Sequence, residues 1–229
     1  MGVVYENITR TDAATVDALG KYGVATIHEA QGRKGLMAPH MRPIYPGTRI
    51  SGTAVTVSVA PCDNWMIHVA AEIVKPGDIL VVAPTSYSDA GYFGDLLATL
   101  LMSRGVRALV IDAGVRDIAD LQKMGFPVWS KCISAQGTVK EVVGDVNIPI
   151  VCGGQIVRPG DAIIADDDGV VVVERHEAAD ILTKSAQREE KEAVIRRRYA
   201  SGELGLDMNN MRPTLAAKGL VYPDRKTEK

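Results

Sequence analysis

The sequence predicts an α/β fold built around parallel strands. Three observations predict it: a β-branched run at Ile79–Pro84, an apolar helical stretch after Gly94, and a second buried run at Ala108–Asp112. A strand, a helix and another buried strand in this order form a unit whose two strands run parallel. The turns at residues 91–95 and 116–117 should therefore lie together beyond the carboxyl ends of these strands, where open α/β sheets bind ligands.

The remaining elements follow in order. A helix is predicted to start near Thr11 or Asp12 and to break at Gly23, with a short helix over 26–31. A strand should cover 52–60, and Asn64 should cap a helix over 65–74. The second half is strand-rich and is expected to pair as one mixed sheet layer against the first half, through segments 126–134, 138–143, 148–154, 161–166 and 169–174. Residues 166–169 fit a tight hairpin turn better than a calcium loop.

A long charged helix is predicted over Glu177–Tyr199. Its apolar positions are too sparse to bury a face in its own domain, so we expect it to pack on another subunit. The predicted organisation is an α/β catalytic domain over 1–176 and a C-terminal helical arm over 177–229. The last residues of this arm are polar.

Composition limits the possible functions. The chain has 229 residues and a net charge of −2, which gives no electrostatic case for binding nucleic acid or a membrane surface. No apolar run reaches the length of a membrane span and the polar N-terminus has no signal-peptide core, so a cytoplasmic location is expected. The cysteines at positions 62, 132 and 152 are too far apart for a zinc motif and are expected to be reduced structural thiols.

Complementary chemistry lies at the two turns. Free backbone N–H groups at the helix start after Gly94 can hold an anion, and Arg116 offers a planar fork for a carboxylate. Asp95 and Asp117 offer hard oxygen ligands for a divalent cation. Each residue alone also fits an ordinary helix cap or a surface pair. Their joint position at one sheet edge favours a site for a small keto acid.

The same residues carry a resemblance to a known family. Asp95, twenty intervening residues and Arg116–Asp117, with the flanks GDLLAT and VIDAGVRD and the late segment LGLDMNNMRPTLAAKGL, resemble the metal-dependent pyruvate aldolases. These enzymes act on 4-hydroxy-4-methyl-2-oxoglutarate and 4-carboxy-4-hydroxy-2-oxoadipate. The resemblance runs over nearly the whole chain. It implies a swivelling β/β/α-type fold, with a mixed sheet core flanked by helices, and self-association as a trimer or hexamer.

The resemblance also implies a set of site residues. It makes Asp117 a direct ligand of Mg²⁺, for which Mn²⁺ or Co²⁺ can substitute, while Asp95 and a neighbouring subunit's glutamate, Glu192, hold metal-bound waters. Arg116 would pair with the keto oxygen or carboxylate of the substrate. The backbone N–H groups of Leu96 and Leu97, at the turn of Gly94, would bind its C1 carboxylate.

Two further candidates lie outside the turns. His68 shares a helix face with Trp65 and Glu72, where a hydrogen-bonded, partly buried histidine is the simpler interpretation. The aldolase family has a histidine at the matching place, which makes His68 a catalytic candidate. Lys140 matches a basic residue of the family and would meet a distal carboxylate. A Schiff-base role for Lys140 is open in principle, but the carboxylate-and-metal cluster makes it unnecessary.

The resemblance predicts retro-aldol cleavage that releases pyruvate, with oxaloacetate decarboxylation as a side activity. The segment MNNMRPTLAAKGL favours the carboxy substrate of gallate and protocatechuate meta-cleavage. The alternative is a binding protein like those of the regulator of ribonuclease activity A family, which are shorter and tend to lack the complete acidic set. A methyltransferase is excluded because no glycine-rich nucleotide loop follows the first strand.

Overall fold

The structure, a computed structural model, describes residues 2–223. Eight helices and eleven strands lie in this range. The helices are α1 (Ala13–Leu19), α2 (Val24–Ala30), α3 (Trp65–Ile73), α4 (Asp95–Ser103), α5 (Ile118–Met124), α6 (Ala178–Ala200), α7 (Gly205–Met208) and α8 (Arg212–Ala217). The strands are β1 (Arg42–Pro43), β2 (Ile50–Val59), β3 (Asp78–Pro84), β4 (Gly91–Phe93), β5 (Ala108–Val115), β6 (Val128–Ile133), β7 (Asp145–Val146), β8 (Ile150–Cys152), β9 (Gln155–Val157), β10 (Ala162–Asp166) and β11 (Gly169–Val173).

One large mixed sheet forms the centre of the fold. Its strand order is β1-β6-β5-β3-β2-β10-β11, with β4 added to β5 and β7 added to β2, and β8 and β9 form a separate hairpin. The four central strands β6, β5, β3 and β2 run parallel to one another. The outer strands are antiparallel to their neighbours: β1 to β6, β10 to β2 and β11 to β10. The predicted mixed sheet core flanked by helices is confirmed. The parallel pairing of β3 with β5 also confirms the strand–helix–strand unit that organises the chain.

The two ends of the strand row approach each other. The indole Nε1 of Trp129, on β6, donates a hydrogen bond to the Asp166 carbonyl at the end of β10, at 2.8 Å. Arg42, on β1, donates from Nη1 to the Asp168 carbonyl at 3.0 Å. These bonds nearly close the sheet around an apolar interior that contains Ala54, Val110 and Trp129. The Asp166 and Asp168 carbonyls thus have side-chain donors across the gap.

Helices cover the outside of the sheet on two sides. One apolar cluster lies beneath α3, α4 and α5, and includes Val55, Val57 and Val59 of β2. A second cluster lies beneath α1, α2 and the first turns of α6. Since β2 also contributes Ala54 to the interior, it is buried on both faces, as parallel strands covered by helices are.

Several local predictions are confirmed and several are wrong. Asp12 caps α1, and the two-residue turn of the β10–β11 hairpin lies at 167–168. The expected separate layer of second-half strands is wrong, because β10 pairs with β2 and β6 pairs with β5 in the same sheet. Segment 138–143 is not a strand. Its one bridge joins Val139 to Asp63.

The chain divides into two compact units, Met1–Ala186 and Gln187–Lys229. The first contains the sheet and α1–α5, and the second contains most of α6 together with α7 and α8. The predicted assignment of a catalytic domain to 1–176 and an arm to 177–229 stays a prediction. Its polar end, residues 224–229, lies outside the described residues. Within residues 2–223, no helix is both long and apolar enough to cross a membrane.

Candidate active site

The short strand β4 brings the two predicted turns together. It pairs in parallel with the end of β5, with Gly91 opposite Gly114, and the Arg116 N–H donates to the Phe93 carbonyl at 2.9 Å. A Cβ on Gly114 would lie 2.5 Å from the Asp89 carbonyl oxygen, so only glycine allows this close approach. Residues 91–93, expected as part of a turn, are thus a strand that places the start of α4 beside the start of α5.

A cavity of about 120 Å³ opens at this edge of the sheet. Its wall contains every predicted site residue of the first compact unit: His68, Gly94, Asp95, Leu96, Leu97, Arg116, Asp117 and Lys140. Asn64 and Tyr92 complete the wall. The cavity is small beside the ~300–1,000 Å³ of pockets that enclose a drug-sized ligand, and its size suits one end of a small acid.

The start of α4 presents free backbone donors to this cavity. The first bond within the helix runs from the Ala98 N–H to the Gly94 carbonyl, and the Asp95 N–H lies 3.4 Å from Asp117 Oδ2. The N–H groups of Leu96 and Leu97 therefore have no acceptor within the helix. Two such donors at a helix start favour an anion, as the predicted binding of a C1 carboxylate requires.

Asp117 is held in an unusual backbone conformation. Its φ of 58° lies in the left-handed region, where only a few per cent of non-glycine residues occur. Its Oδ2 lies 3.5 Å from Arg116 Nε, and both side chains are partly exposed to solvent. A Cβ on Gly94 would overlap the Asp117 carboxylate, so the glycine leaves the space that this carboxylate occupies.

The cavity wall also contains His68 and Lys140. Burial lowers the pKa of the His68 ring, and the positive charge of Lys140 lowers this pKa further. His68 is therefore a neutral imidazole at pH 7, able to accept a proton. The cavity wall thus combines two carboxylates with cationic side chains and a neutral histidine.

Asp63 fixes the loop that carries Lys140. Its Oδ2 accepts hydrogen bonds from the N–H groups of Glu141, at 2.6 Å, and Val142, at 2.8 Å. Its Oδ1 accepts from the Trp65 N–H at 2.8 Å. Burial alone raises the pKa of Asp63, but these bonds outweigh it and hold the pKa below its usual value. The predicted capping role of Asn64 is wrong, because Asn64 occupies the cap position of α3 without a side-chain cap bond.

Asn64 and Tyr92 were missed as site residues from the sequence. The Asn64 amide Nδ2 donates to the Tyr92 carbonyl at 2.9 Å, and both residues are buried. The buried Tyr92 hydroxyl in turn accepts from the Cys62 N–H at 2.6 Å. These contacts join residues 28 to 30 positions apart. No local pattern in the sequence signals such contacts.

The carboxylates can hold a cation that keeps most of its waters. Asp95 and Asp117 both line the cavity, and no group of three or more His, Cys, Asp or Glu side chains within residues 2–223 forms a metal site. Two hard oxygen donors beside open space fit Mg²⁺, which binds through one or two carboxylates together with water and substrate oxygens. They do not fit zinc, whose structural sites need four nitrogen or sulfur ligands.

Glu192 lies on α6 in the second compact unit. Its Oε1 pairs with Arg188 Nε at 2.8 Å on the same helix. Its predicted place in a neighbouring subunit's site stays a prediction.

The three cysteines are free, as predicted. Burial, followed by the charge of Asp89, raises the pKa of Cys132, and burial also raises the pKa of Cys152. Both thiols therefore stay protonated at neutral pH, which makes them poor nucleophiles.

Comparison with known proteins finds a matching family model and several similar proteins. Residues 13–172 match the family model RraA-like, described as Aldolase/RraA. A Halalkalibacterium halodurans protein named "Putative 4-hydroxy-4-methyl-2-oxoglutarate aldolase" is 30% identical over 149 residues, which cover 65% of this chain and 71% of that protein. An uncharacterized Methanocaldococcus jannaschii protein is 32% identical over 164 residues, covering 71% and 78% of the two chains.

A solved structure shares the fold. Streptomyces coelicolor RraAS2, described as an unusual member of the RNase ES inhibitor RraA protein family, superposes with a TM-score of 0.72 at 28% identity. The match covers 82% of this chain and 100% of that chain.

Proposed function

The chain belongs to the RraA-like family, and from that premise we propose that it is a divalent-metal-dependent pyruvate aldolase. The proposed reaction is retro-aldol cleavage of 4-carboxy-4-hydroxy-2-oxoadipate to pyruvate and oxaloacetate, and of 4-hydroxy-4-methyl-2-oxoglutarate to two pyruvates. Its proposed setting is the meta-cleavage catabolism of aromatic acids. The supporting observation is the single cavity that contains Asp95, Arg116 and Asp117 together with His68 and Lys140.

Asp117 would hold the cation directly, and Asp95 would hold one of its waters. A bound Mg²⁺ would act as a Lewis acid toward the 2-keto group and C1 carboxylate of the substrate. Arg116 lies beside Asp117, so it offsets part of the negative charge of the two carboxylates.

Groups of this chain bind the substrate and stabilise the charge that develops on it. The N–H groups of Leu96 and Leu97 bind the C1 carboxylate, and Lys140 meets a distal carboxylate. As the C3–C4 bond breaks, its electron pair passes to C3 and delocalises onto the C2 oxygen. The Arg116 guanidinium stabilises that developing charge, as preorganised donors do in acyl transfer.

Proton transfer completes the cleavage. The C4 hydroxyl would lose its proton, through a water, to the Asp95 carboxylate, and C4 becomes the carbonyl carbon of the second product. A proton returned to C3 converts the enolate into pyruvate, so the proton lost from the hydroxyl is balanced. Neutral His68 is a second proton acceptor in the cavity wall. The same charge stabilisation would support decarboxylation of oxaloacetate, because loss of CO₂ leaves the same enolate.

The test is pyruvate release from 4-carboxy-4-hydroxy-2-oxoadipate with Mg²⁺ present. We expect Arg116→Ala to lower kcat by about 100- to 1,000-fold, because it removes a donor to the developing oxyanion. Arg116→Lys should retain part of the rate, since it keeps the charge and loses the fork. Lys123→Ala, on the exposed side of α5, is the control and should be unchanged.

The second candidate is a non-catalytic binding protein, supported by the likeness to the Streptomyces coelicolor RraAS2 structure. If wild-type protein releases no pyruvate from this substrate, its 4-methyl analogue or oxaloacetate, the aldolase proposal fails and the binding protein takes its place.

A further inference from the structure

The Asn64 side chain has one hydrogen-bonding group that the fold uses and one that it does not. Its residue is 7% exposed and lies on the cavity wall at the start of α3. Nδ2 donates to the Tyr92 carbonyl at 2.9 Å. That bond fixes the orientation of the amide, because the reverse orientation would place Oδ1 against another acceptor.

The Asn64 Oδ1 atom is therefore a buried acceptor of known orientation. It has no hydrogen-bond partner among residues 2–223. Leaving a buried acceptor unpaired is destabilising, so an unpaired acceptor in a cavity wall calls for an explanation. An asparagine at this position normally accepts from the second or third helical N–H, here that of Met66 or Ile67. The Ile67 N–H instead donates to the Asn64 backbone carbonyl at 3.1 Å, and no side-chain cap bond forms.

Asn147 is a second buried asparagine whose side-chain oxygen has no hydrogen-bond partner in the described part of the chain. Its residue is 4% exposed, and Nδ2 donates to the Tyr5 carbonyl at 2.7 Å. Asn147 follows β7 and is not part of the cavity wall. The difference between the two residues is therefore their position, since only Asn64 borders the place where a ligand would bind.

The chemistry of the proposed substrate selects one partner for this acceptor. At neutral pH its carboxylates and its keto group accept hydrogen bonds and donate none. The C4 hydroxyl is its one donor. The cavity wall around Asn64 has Lys140 and the backbone donors of α4 for the substrate's acceptors, which leaves Oδ1 for the donor.

We propose that Asn64 Oδ1 accepts a hydrogen bond from the C4 hydroxyl, and that Asn64 thereby selects hydroxylated 2-oxo acids over their unhydroxylated analogues. This inference rests on the proposed aldolase function. The hydrogen bond between Asn64 Oδ1 and the C4 hydroxyl forms when the substrate binds. Rotation about the C4–O bond then turns the hydroxyl proton toward the water held by Asp95, so the proton balance of the cleavage is unchanged. Asn64 is accordingly a specificity residue that acts on binding more than on the chemical step.

The test compares two ligands that differ by the hydroxyl alone. They are 4-hydroxy-4-methyl-2-oxoglutarate, read as KM and kcat for pyruvate release, and 4-methyl-2-oxoglutarate, read as Ki against it. For Asn64→Ala we expect KM to rise about tenfold, with Ki and kcat nearly unchanged, because one hydrogen bond is lost. Oxaloacetate decarboxylation, whose substrate has no hydroxyl, should keep its kcat/KM.

Asn147→Ala is the matched control, since it also removes a buried amide that donates to a backbone carbonyl. It should leave the ratio of KM to Ki as in wild type, whatever it does to Tm. If Asn64→Ala does not fold, Asn64→Gly supplies the same comparison, because glycine is tolerated at a helix cap and also removes the side-chain acceptor.

Two results would overturn the inference, and they are distinguishable. If wild-type protein turns over substrate and Asn64→Ala weakens both ligands equally, Asn64 has a structural role and the hydroxyl contact is wrong. If wild-type protein releases no pyruvate from any substrate, the proposed function fails and the assignment of Asn64 fails with it.

Discussion

At the scale of single residues, Gly94 determines where the Asp117 carboxylate can lie. Both Gly94 and Gly23 occupy helix cap positions in extended backbone. A Cβ on Gly94 would overlap the Asp117 carboxylate, whereas a Cβ on Gly23 would lie 3.4 Å from its nearest neighbour, an ordinary contact. The two glycines are therefore a matched pair for testing the site.

We predict that Gly94→Ala lowers kcat/KM for pyruvate release by about 100-fold, because displacement of a catalytic group by about 1 Å has that effect. Its far-UV circular dichroism should match wild type, since helical backbone at the start of α4 does not require glycine. Gly23→Ala should keep wild-type activity. Equal activity in the two variants would show that the position of Asp117 is irrelevant to turnover.

The sequence predicted the residues of this site whose chemistry is visible locally. Asp95, Arg116 and Asp117 follow strands, so the pattern predicted that they lie at one sheet edge, and all three line one cavity. His68 and Lys140 became candidates through the family resemblance, because helical spacing from Trp65 alone favoured a partly buried histidine. Asn64 was predicted only as a helix cap. Its role depends on the carbonyl of Tyr92, which chain folding brings close and which no local pattern reveals.

At the scale of elements, the buried Asp63 joins the start of α3 to the loop that carries Lys140. Three backbone N–H groups donate to its carboxylate. Replacing Asp63 by alanine leaves these donors without their acceptor.

We predict that Asp63→Ala lowers the free energy of unfolding by about 3 kcal/mol. For a chain of this size that corresponds to a fall in Tm of roughly 6–12 °C. Asp12→Ala, which removes an exposed cap of α1, should lower Tm much less. Similar Tm values for the two variants would contradict the conclusion that Asp63 holds the Lys140 loop against the start of α3.

The stability difference between wild type and Asp63→Ala should depend on pH. The pKa of Asp63 is lower in the folded protein than its ordinary value of 3.8. The stabilisation is therefore complete at neutral pH and is lost as the pH falls below about 4 toward the folded-state pKa. Urea unfolding at pH 7 and pH 3 measures the change.

Segment 138–143 shows why element prediction failed at this loop. Its three valines favour a strand, but Val139 forms a single bridge to Asp63, and the N–H groups of Glu141 and Val142 donate to the Asp63 carboxylate. This carboxylate, just before α3, replaces the hydrogen bonds that a neighbouring strand would supply. Tertiary contacts override local propensity here.

At the scale of the whole molecule, the expected topology was wrong where strand pairing is non-local. The segments of β6, β10 and β11 were predicted correctly as strands, but they extend both sides of one sheet and do not form a second layer. Alternation in the sequence predicts which face of a strand each side chain lies on, but it does not predict which strands pair. The parallel unit of β3 and β5 was predictable because its crossover contains a helix, α4, that the sequence pattern reveals.

The proposed contribution of Glu192 to a neighbouring subunit is also a whole-molecule property. We predict that Glu192→Gln lowers kcat by about 10-fold or more, the usual effect of losing an outer contact to a metal site. Glu190→Gln, on the same helix, is the control.

Mixing two variants of lowered activity tests whether the contribution crosses between subunits. Co-expressed Arg116→Ala and Glu192→Gln chains should regain about a quarter of wild-type activity, since random assembly pairs the intact halves of the site at that frequency. Activity that stays at the level of the separate variants would place Glu192 in its own chain's site or outside the site.

The central claim, a metal-dependent aldolase with Asp117 as the ligand, is tested most directly by pyruvate release from 4-carboxy-4-hydroxy-2-oxoadipate with EDTA and with added Mg²⁺. We predict that EDTA abolishes turnover in wild type, that Mg²⁺ restores it, and that Asp117→Ala stays inactive in both. Asp120→Ala, an exposed carboxylate in the first turn of α5, should behave as wild type. Turnover that is indifferent to EDTA would contradict the metal mechanism and would leave Lys140 as the candidate for Schiff-base chemistry.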